Sequence, residues 1–205
     1  MQSTESFQSL CETLKVSVAA LRDAHLPFVL GGSLAAWARG GPEPQHDLDL
    51  MVKPEDAEAA LRALAEVGMR PERPPEEWLF KAWHGEVMID LIFRPSGLEM
   101  TDEVFARAET IPLLSVSTPV MALEDVLTTK LFALDEHSLD YTHLVSIARA
   151  VREQIDWASL RARTSSCIYA PAFFTLVQSL AIAPAPRPGA QLAPHSRVRV
   201  LNPGA

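Results

Sequence analysis

Apolar residues Phe7, Leu10, Cys11, Leu14, Val18 and Leu21 recur at three- and four-residue intervals. That is the period of one helix face, so residues 4–24 are predicted to form an amphipathic helix. Pro27 ends the pattern, and Phe28, Val29 and Leu30 read as a short buried strand that runs into Gly31 and Gly32. A second helix is expected over residues 33–39, then a loop through Gly40, Gly41, Pro42 and Pro44. Asp47-Leu48-Asp49-Leu50-Met51-Val52 is the next strand. Pro54 suits the first turn of another helix, with Glu55 and Asp56 near its positive end. Its apolar face is Ala57, Ala60, Leu61 and Leu64, and Gly68 closes it. Residues 71–77 read as a loop, and strands at 78–83 and 86–93 as a hairpin turning at His84-Gly85. A further short strand is expected over 113–117.

From residue 118 the pattern becomes helical. Thr118-Pro119 reads as a cap followed by a first-turn proline. Leu123, Val126, Leu127, Lys130, Leu131 and Leu134 continue at helical spacing. Three more helices are expected at 141–151, 157–163 and 171–180. Beyond Ala183 the chain is rich in Pro, Ala and Gly, with Arg187, Arg197 and Arg199, and is expected to be a disordered tail. The fold class is therefore α/β (α+β): a small mixed β-sheet with flanking helices over 1–117, a C-terminal helical part over 118–182, and the tail over 183–205. No internal repeat is found.

Composition narrows the function classes. The 205 residues suffice for one full core or two small ones. Although 48% of them are hydrophobic, no run approaches the roughly 20 apolar residues that cross a bilayer. The N-terminus lacks the order of a signal peptide, so no membrane partner and a cytoplasmic location are expected. Cys11 and Cys167, far apart in sequence, have no metal spacing and are expected to be buried thiols. A net charge of −8 argues against broad affinity for nucleic acid. Arg149, Arg152, Arg161 and Arg163 read as solvated helix faces before they read as a basic groove.

The chemistry concentrates in two places. Asp47 and Asp49 lie at i and i+2 of a strand and so project from one face, with Leu48, Leu50 and Val52 on the other. Like charges side by side are costly unless a cation lies between them, and oxygen ligands suit a hard divalent ion. Asp90, inside Val87-Met88-Ile89-Asp90-Leu91-Ile92-Phe93, is a third carboxylate in an apolar strand. On its own it reads equally well as half of a buried ion pair. Together with the Asp47 strand it could help hold two ions for phosphoryl or nucleotidyl transfer. Gly31 and Gly32 allow close approach of a ligand, and Ser33 offers a hydroxyl at a helix start.

Leu30-Gly31-Gly32-Ser33, then Asp47-Leu48-Asp49, then Asp90 resembles the motif set of the DNA polymerase beta-type nucleotidyltransferase superfamily, over residues 25 to 95. The resemblance implies transfer of a nucleotidyl group from a nucleoside triphosphate, dependent on Mg²⁺ or Mn²⁺. It makes Asp47 and Asp49 the metal-binding pair and Asp90 the third metal ligand and general base. Gly31, Gly32 and Ser33 would hold the triphosphate. The segment from 118 resembles the C-terminal part of standalone bacterial nucleotidyltransferases, toxin-like members of toxin–antitoxin systems included. Lys130 stands where that family brings a lysine to the phosphates, and Asp140 on the helix that follows. The basic residues that usually precede that Asp are replaced by Glu136-His137-Ser138-Leu139.

Lys130 reads either as a snorkelling stripe lysine or as an anion contact. His46 and Arg39 have structural explanations as a strand entry and a helix end, and Trp37, Trp78 and Trp83 are expected in the core. His84 belongs to a turn, and His137 and His143 lack zinc spacing. The expected acceptor is a protein, an RNA end or a small hydroxylated molecule, the acidic charge favouring a small molecule or protein. The alternative is a non-catalytic nucleotide-binding module or toxin–antitoxin partner on the same fold; Asp90 counts against it, because binding alone needs no base.

Overall fold

The computed structural model describes residues 2–44, 47–113 and 115–184, with side chains from Phe7 onward. His46, Arg187, Arg197, Arg199 and the expected disordered tail beyond Pro184 lie outside the described residues.

The described residues form helix α1 (Gln2–Asp23), strand β1 (Phe28–Leu30), α2 (Gly32–Ala38), β2 (Asp47–Val52), α3 (Ala57–Glu66), β3 (Arg70–Glu72), β4 (Leu79–His84), β5 (Val87–Ile92), α4 (Asp102–Ala106), β6 (Glu109–Leu113) and β7 (Val116–Val120). Four helices follow: α5 (Leu123–Phe132), α6 (Thr142–Ala150), α7 (Trp157–Arg163) and α8 (Ala170–Ser179). The strands make one seven-stranded mixed sheet, ordered β3-β4-β5-β2-β1-β7-β6. The expected fold class, a mixed sheet with flanking helices followed by a helical part, is what forms. Pro54 opens a single 3₁₀ turn that leads into α3.

Alternation decides the two faces of the sheet. Leu48, Leu50, Val52, Ile89 and Leu91 are buried on one face. That face receives α1, as the hydrogen bond between Thr13 Oγ1 and His84 Nδ1 at 2.8 Å shows. The other face carries Asp49 and Asp90. Two apolar cores result: one holds the sheet with α1 and α3, the other gathers Leu127, Leu131, Ile147, Leu160, Phe173 and Val177 from α5 to α8.

Several expectations are corrected. Residues 70–72 form edge strand β3, within what read partly as loop, because Arg-Pro-Glu on an exposed edge lacks the apolar alternation that marks a strand. Residues 113–117 are not one strand but contain the turn between β6 and β7, with Ser115 at φ +72°. Thr118-Pro119 lies in β7, and the helix starts only at Leu123. The proline is tolerated because β7 pairs with β1 at its end, Leu30 opposite Val120, beyond Pro119. The short α4 was not foreseen. Trp78 is 43% exposed rather than in the core, and Cys11 is only half-buried. Trp37 packs edge-on against Phe7, with ring centroids 5.4 Å apart.

One buried charge joins the sheet to the helical part. Asp125, on α5, is fully buried. Arg107, just after α4, donates to both of its oxygens at 3.2 Å, and Arg163 of α7 donates to Oδ1 at 2.6 Å. Arg163 is thus a structural partner rather than part of a solvated face. Arg161 stacks 3.9 Å over the Phe174 ring. A buried carboxylate with two arginines is tolerable, whereas two arginines facing an alanine are not. Asp125→Ala should therefore lower stability by about 3–5 kcal/mol, measured by urea unfolding, and more than Arg107→Met does.

Candidate active site

The pairing of three central strands builds the site. β2 and β5 run parallel with Asp49 directly opposite Asp90. β5 and β4 run antiparallel with Asp90 directly opposite Lys81. Directly opposed residues share a sheet face, and neighbouring strands lie about 4.8 Å apart. Asp49, Asp90 and Lys81 thus form a row across the sheet. Asp47, two residues before Asp49, projects from the same face at the exposed start of β2.

Gly31 and Gly32 seat the start of α2 directly on β2. The Gly31 N–H donates to the Asp49 carbonyl at 2.9 Å. A Cβ on Gly31 would stand 2.5 Å from the Met51 methyl. One on Gly32 would stand 1.6 Å from Asp49 Oδ2, and Gly32 has φ +57°. No other residue fits at position 32, on both counts. Ser33 follows, and Lys130 of α5 reaches it: Nζ lies 3.4 Å from Ser33 Oγ. The structure thus brings Gly31, Gly32, Ser33 and Lys130 to the acidic strand.

Burial pushes the Asp49 carboxyl up to about 6; Lys130 and Lys81 oppose the rise, and Asp90 and Asp47 add to it. Burial also lowers Lys130 below the usual lysine range, with Asp49 pulling the other way. Lys81, which sequence reading did not single out, donates from Nζ to Asp90 Oδ1 at 2.8 Å. A turn at His84-Gly85 would have paired Lys81 with Met88. The observed turn lies at Gly85-Glu86, Gly85 having φ +61°, and pairs Lys81 with Asp90. His84 is accordingly the last residue of β4 and not part of the turn.

The donor set consists of hard carboxylate oxygens, and burial penalises the charge of Asp49. This chemistry fits a divalent cation such as Mg²⁺. Among the described residues, no three of His, Cys, Asp and Glu are gathered closely enough to hold an ion as they stand. Asp90 is drawn to Lys81, and Asp47 opens to solvent.

Other candidates take structural places. Arg39 donates to the Met121 and Val120 carbonyls at 3.3 Å and to Glu109 at 2.9 Å, tying α2 to the far side of the sheet. Asp140 accepts the Thr142 N–H at 2.8 Å at the start of α6. His143 on α6 is held below the usual histidine range by burial and by nearby Lys130. His137 is exposed beside Glu136. The Trp83 ring faces the Arg70 guanidinium at 5.2 Å, and its N–H donates to Glu72.

The raised Asp49 value has a consequence for stability. The folded protein binds this proton more tightly than the unfolded chain, so the stabilisation is complete below about pH 4 and lost as pH rises through about 6. With chelator present, wild type should lose on the order of 2–3 kcal/mol across that window relative to Asp49→Asn. Urea unfolding of both proteins at pH 4, 5, 6 and 7 measures the difference.

The solution structure of the antibiotic-resistance factor ANT(2'')-Ia superimposes with a TM-score of 0.60 at 16% identity, covering 88% of this chain and 99% of that one. The crystal structure of ANT(2'')-Ia in complex with adenylyl-2''-tobramycin gives 0.51 at 18% identity, covering 83% and 96%. A putative nucleotidyltransferase from Thermotoga maritima gives 0.48 at 17% identity, covering 58% and 81%. These likenesses are of fold. A comparison with functionally curated proteins finds no match. The profile of a family described as uncharacterised nucleotidyltransferase matches residues 21–181, well over half of the chain. The resemblance read from the glycine pair and the aspartates is thereby borne out, and the chain belongs to this nucleotidyltransferase family.

Proposed function

We propose that the protein transfers a nucleotidyl group from a nucleoside triphosphate to the hydroxyl of a small molecule. The observation that carries this reading is the single row of Asp49 and Asp90, with Ser33 and Lys130 beside it. Asp47 and Asp49 are the residues that would hold Mg²⁺ or Mn²⁺, with Asp90 as the third carboxylate. A bound divalent cation would neutralise phosphate charge and favour attack at phosphorus.

The chain's own groups supply the rest. Ser33 offers a hydroxyl to a phosphate oxygen and Lys130 an ammonium to the distal phosphates, while Gly31 and Gly32 keep that approach free of side chains. Asp90 accepts the proton of the acceptor hydroxyl as its oxygen bonds to the α-phosphorus; the bond to the bridging oxygen breaks and pyrophosphate leaves. ANT(2'')-Ia in complex with adenylyl-2''-tobramycin supports a small-molecule acceptor on this fold. The net charge of −8 disfavours RNA.

Incubation with each labelled nucleoside triphosphate, Mg²⁺ and fractionated lysate tests the proposal. Label should move to a small-molecule fraction, and Asp47→Asn and Asp49→Asn should abolish the transfer; label transfer that survives both substitutions overturns the reading. Affinity for a non-hydrolysable triphosphate, measured by titration calorimetry, should fall most in Gly32→Val. Ser33→Ala should cost less, roughly 0.5–3 kcal/mol for one hydrogen bond. Lys130→Ala should weaken triphosphate binding more than monophosphate binding. Unchanged affinity in folded Gly32→Val would move the nucleotide away from this loop.

A further inference from the structure

Three carboxylates on the site face are accompanied by two ammonium groups. Lys130 belongs with Ser33 and Asp49. Lys81 makes its ion pair with Asp90: the two residues are register partners across β4 and β5. Their contact of 2.8 Å joins side chains only 21% and 17% exposed. The Met88 Sδ lies 3.3 Å from the ammonium and closes another of its sides. The pair engages Oδ1 of Asp90, and among the described residues no donor bonds Oδ2. A carboxylate gripped at one oxygen by a strand neighbour loses rotational freedom, and its second oxygen is not engaged by that contact. The same ammonium, 2.8 Å from Oδ1, puts a positive charge beside Asp90, and a further cation brought to this carboxylate is repelled by it.

We propose that Lys81 is a resident counter-cation of Asp90, a positioning residue that orients this carboxylate toward the acceptor and confines the divalent metal to Asp47 and Asp49. The inference rests on the functional reading above and divides its three carboxylates by role. Two hold metal, and the third is held by a lysine.

Mn²⁺ titration of the full chain without nucleotide, followed by the electron paramagnetic resonance of free Mn²⁺, tests this division. Asp49→Asn should weaken Mn²⁺ binding by about tenfold or more. Asp90→Asn, which leaves the Lys81 charge unpaired, should weaken it far less than Asp49→Asn does. Lys81→Met should tighten binding several-fold by releasing Asp90, and adding Asp90→Asn to Lys81→Met should remove that gain. Lys81→Arg should restore the wild-type pattern, a rescue that no loss of packing predicts. Lys81→Gln, a donor without the charge, replaces Lys81→Met if circular dichroism finds the latter unfolded. Equal losses in Asp49→Asn and Asp90→Asn would make Asp90 a metal ligand and overturn the proposal, as would unchanged affinity in Lys81→Met. Unchanged affinity in Asp49→Asn would instead remove the metal site itself, and the proposal with it.

Discussion

The seating of the β1–α2 turn on strand β2 is the contact on which the site depends. Gly32 lies so close to Asp49 that a single added carbon would overlap its carboxylate oxygen. Gly31 is held just as tightly over Met51 and donates its N–H to the Asp49 carbonyl. Asp49 is half-buried beneath this turn, and burial raises its proton affinity. It also brings Ser33 within reach of Lys130 on α5. The glycine pair therefore has a demand to meet inside the fold before any ligand arrives: it lets a helix start rest on an acidic strand.

Charge balance constrains the same face. A sheet face that carries Asp47, Asp49 and Asp90 is unfavourable by itself. Lys81 and Lys130 offset part of that charge from opposite sides, one across the β4–β5 ladder and one from the helical part. Because Lys130 comes from α5, the electrostatics of the site depend on how α5 is held. Asp125, five residues earlier on the same helix, is fixed by Arg107 from the sheet part and Arg163 from α7. Fold and site are thus coupled through one helix.

Much of the fold is legible in the sequence, because periodicity reports burial directly. The helices now assigned as α1, α3, α6, α7 and α8 and strands β1, β2, β4 and β5 follow from apolar spacing within a few residues. Each packs an apolar face on one of the two cores. The i, i+2 placement of Asp47 and Asp49 on one face is likewise a property of any strand. Strand β3 and the β6–β7 hairpin escaped because they carry exposed residues and prolines, Pro71, Pro112 and Pro119, that local pattern reads as loop or helix start.

By itself the chain determined which residue types could carry the chemistry and which elements bear them, since strand and helix periods are local. Register was decided only in three dimensions. Moving the β4–β5 turn by one residue changes the partner of Lys81 from Met88 to Asp90, and so turns a lysine of no evident purpose into the neighbour of the third carboxylate. The alignment of Asp49 with Asp90, strands β2 and β5 being far apart in sequence, and the reach of Lys130 to Ser33 are likewise tertiary. Side-chain spacing along one element is set by backbone geometry, whereas contact between elements is set by how their buried faces pack.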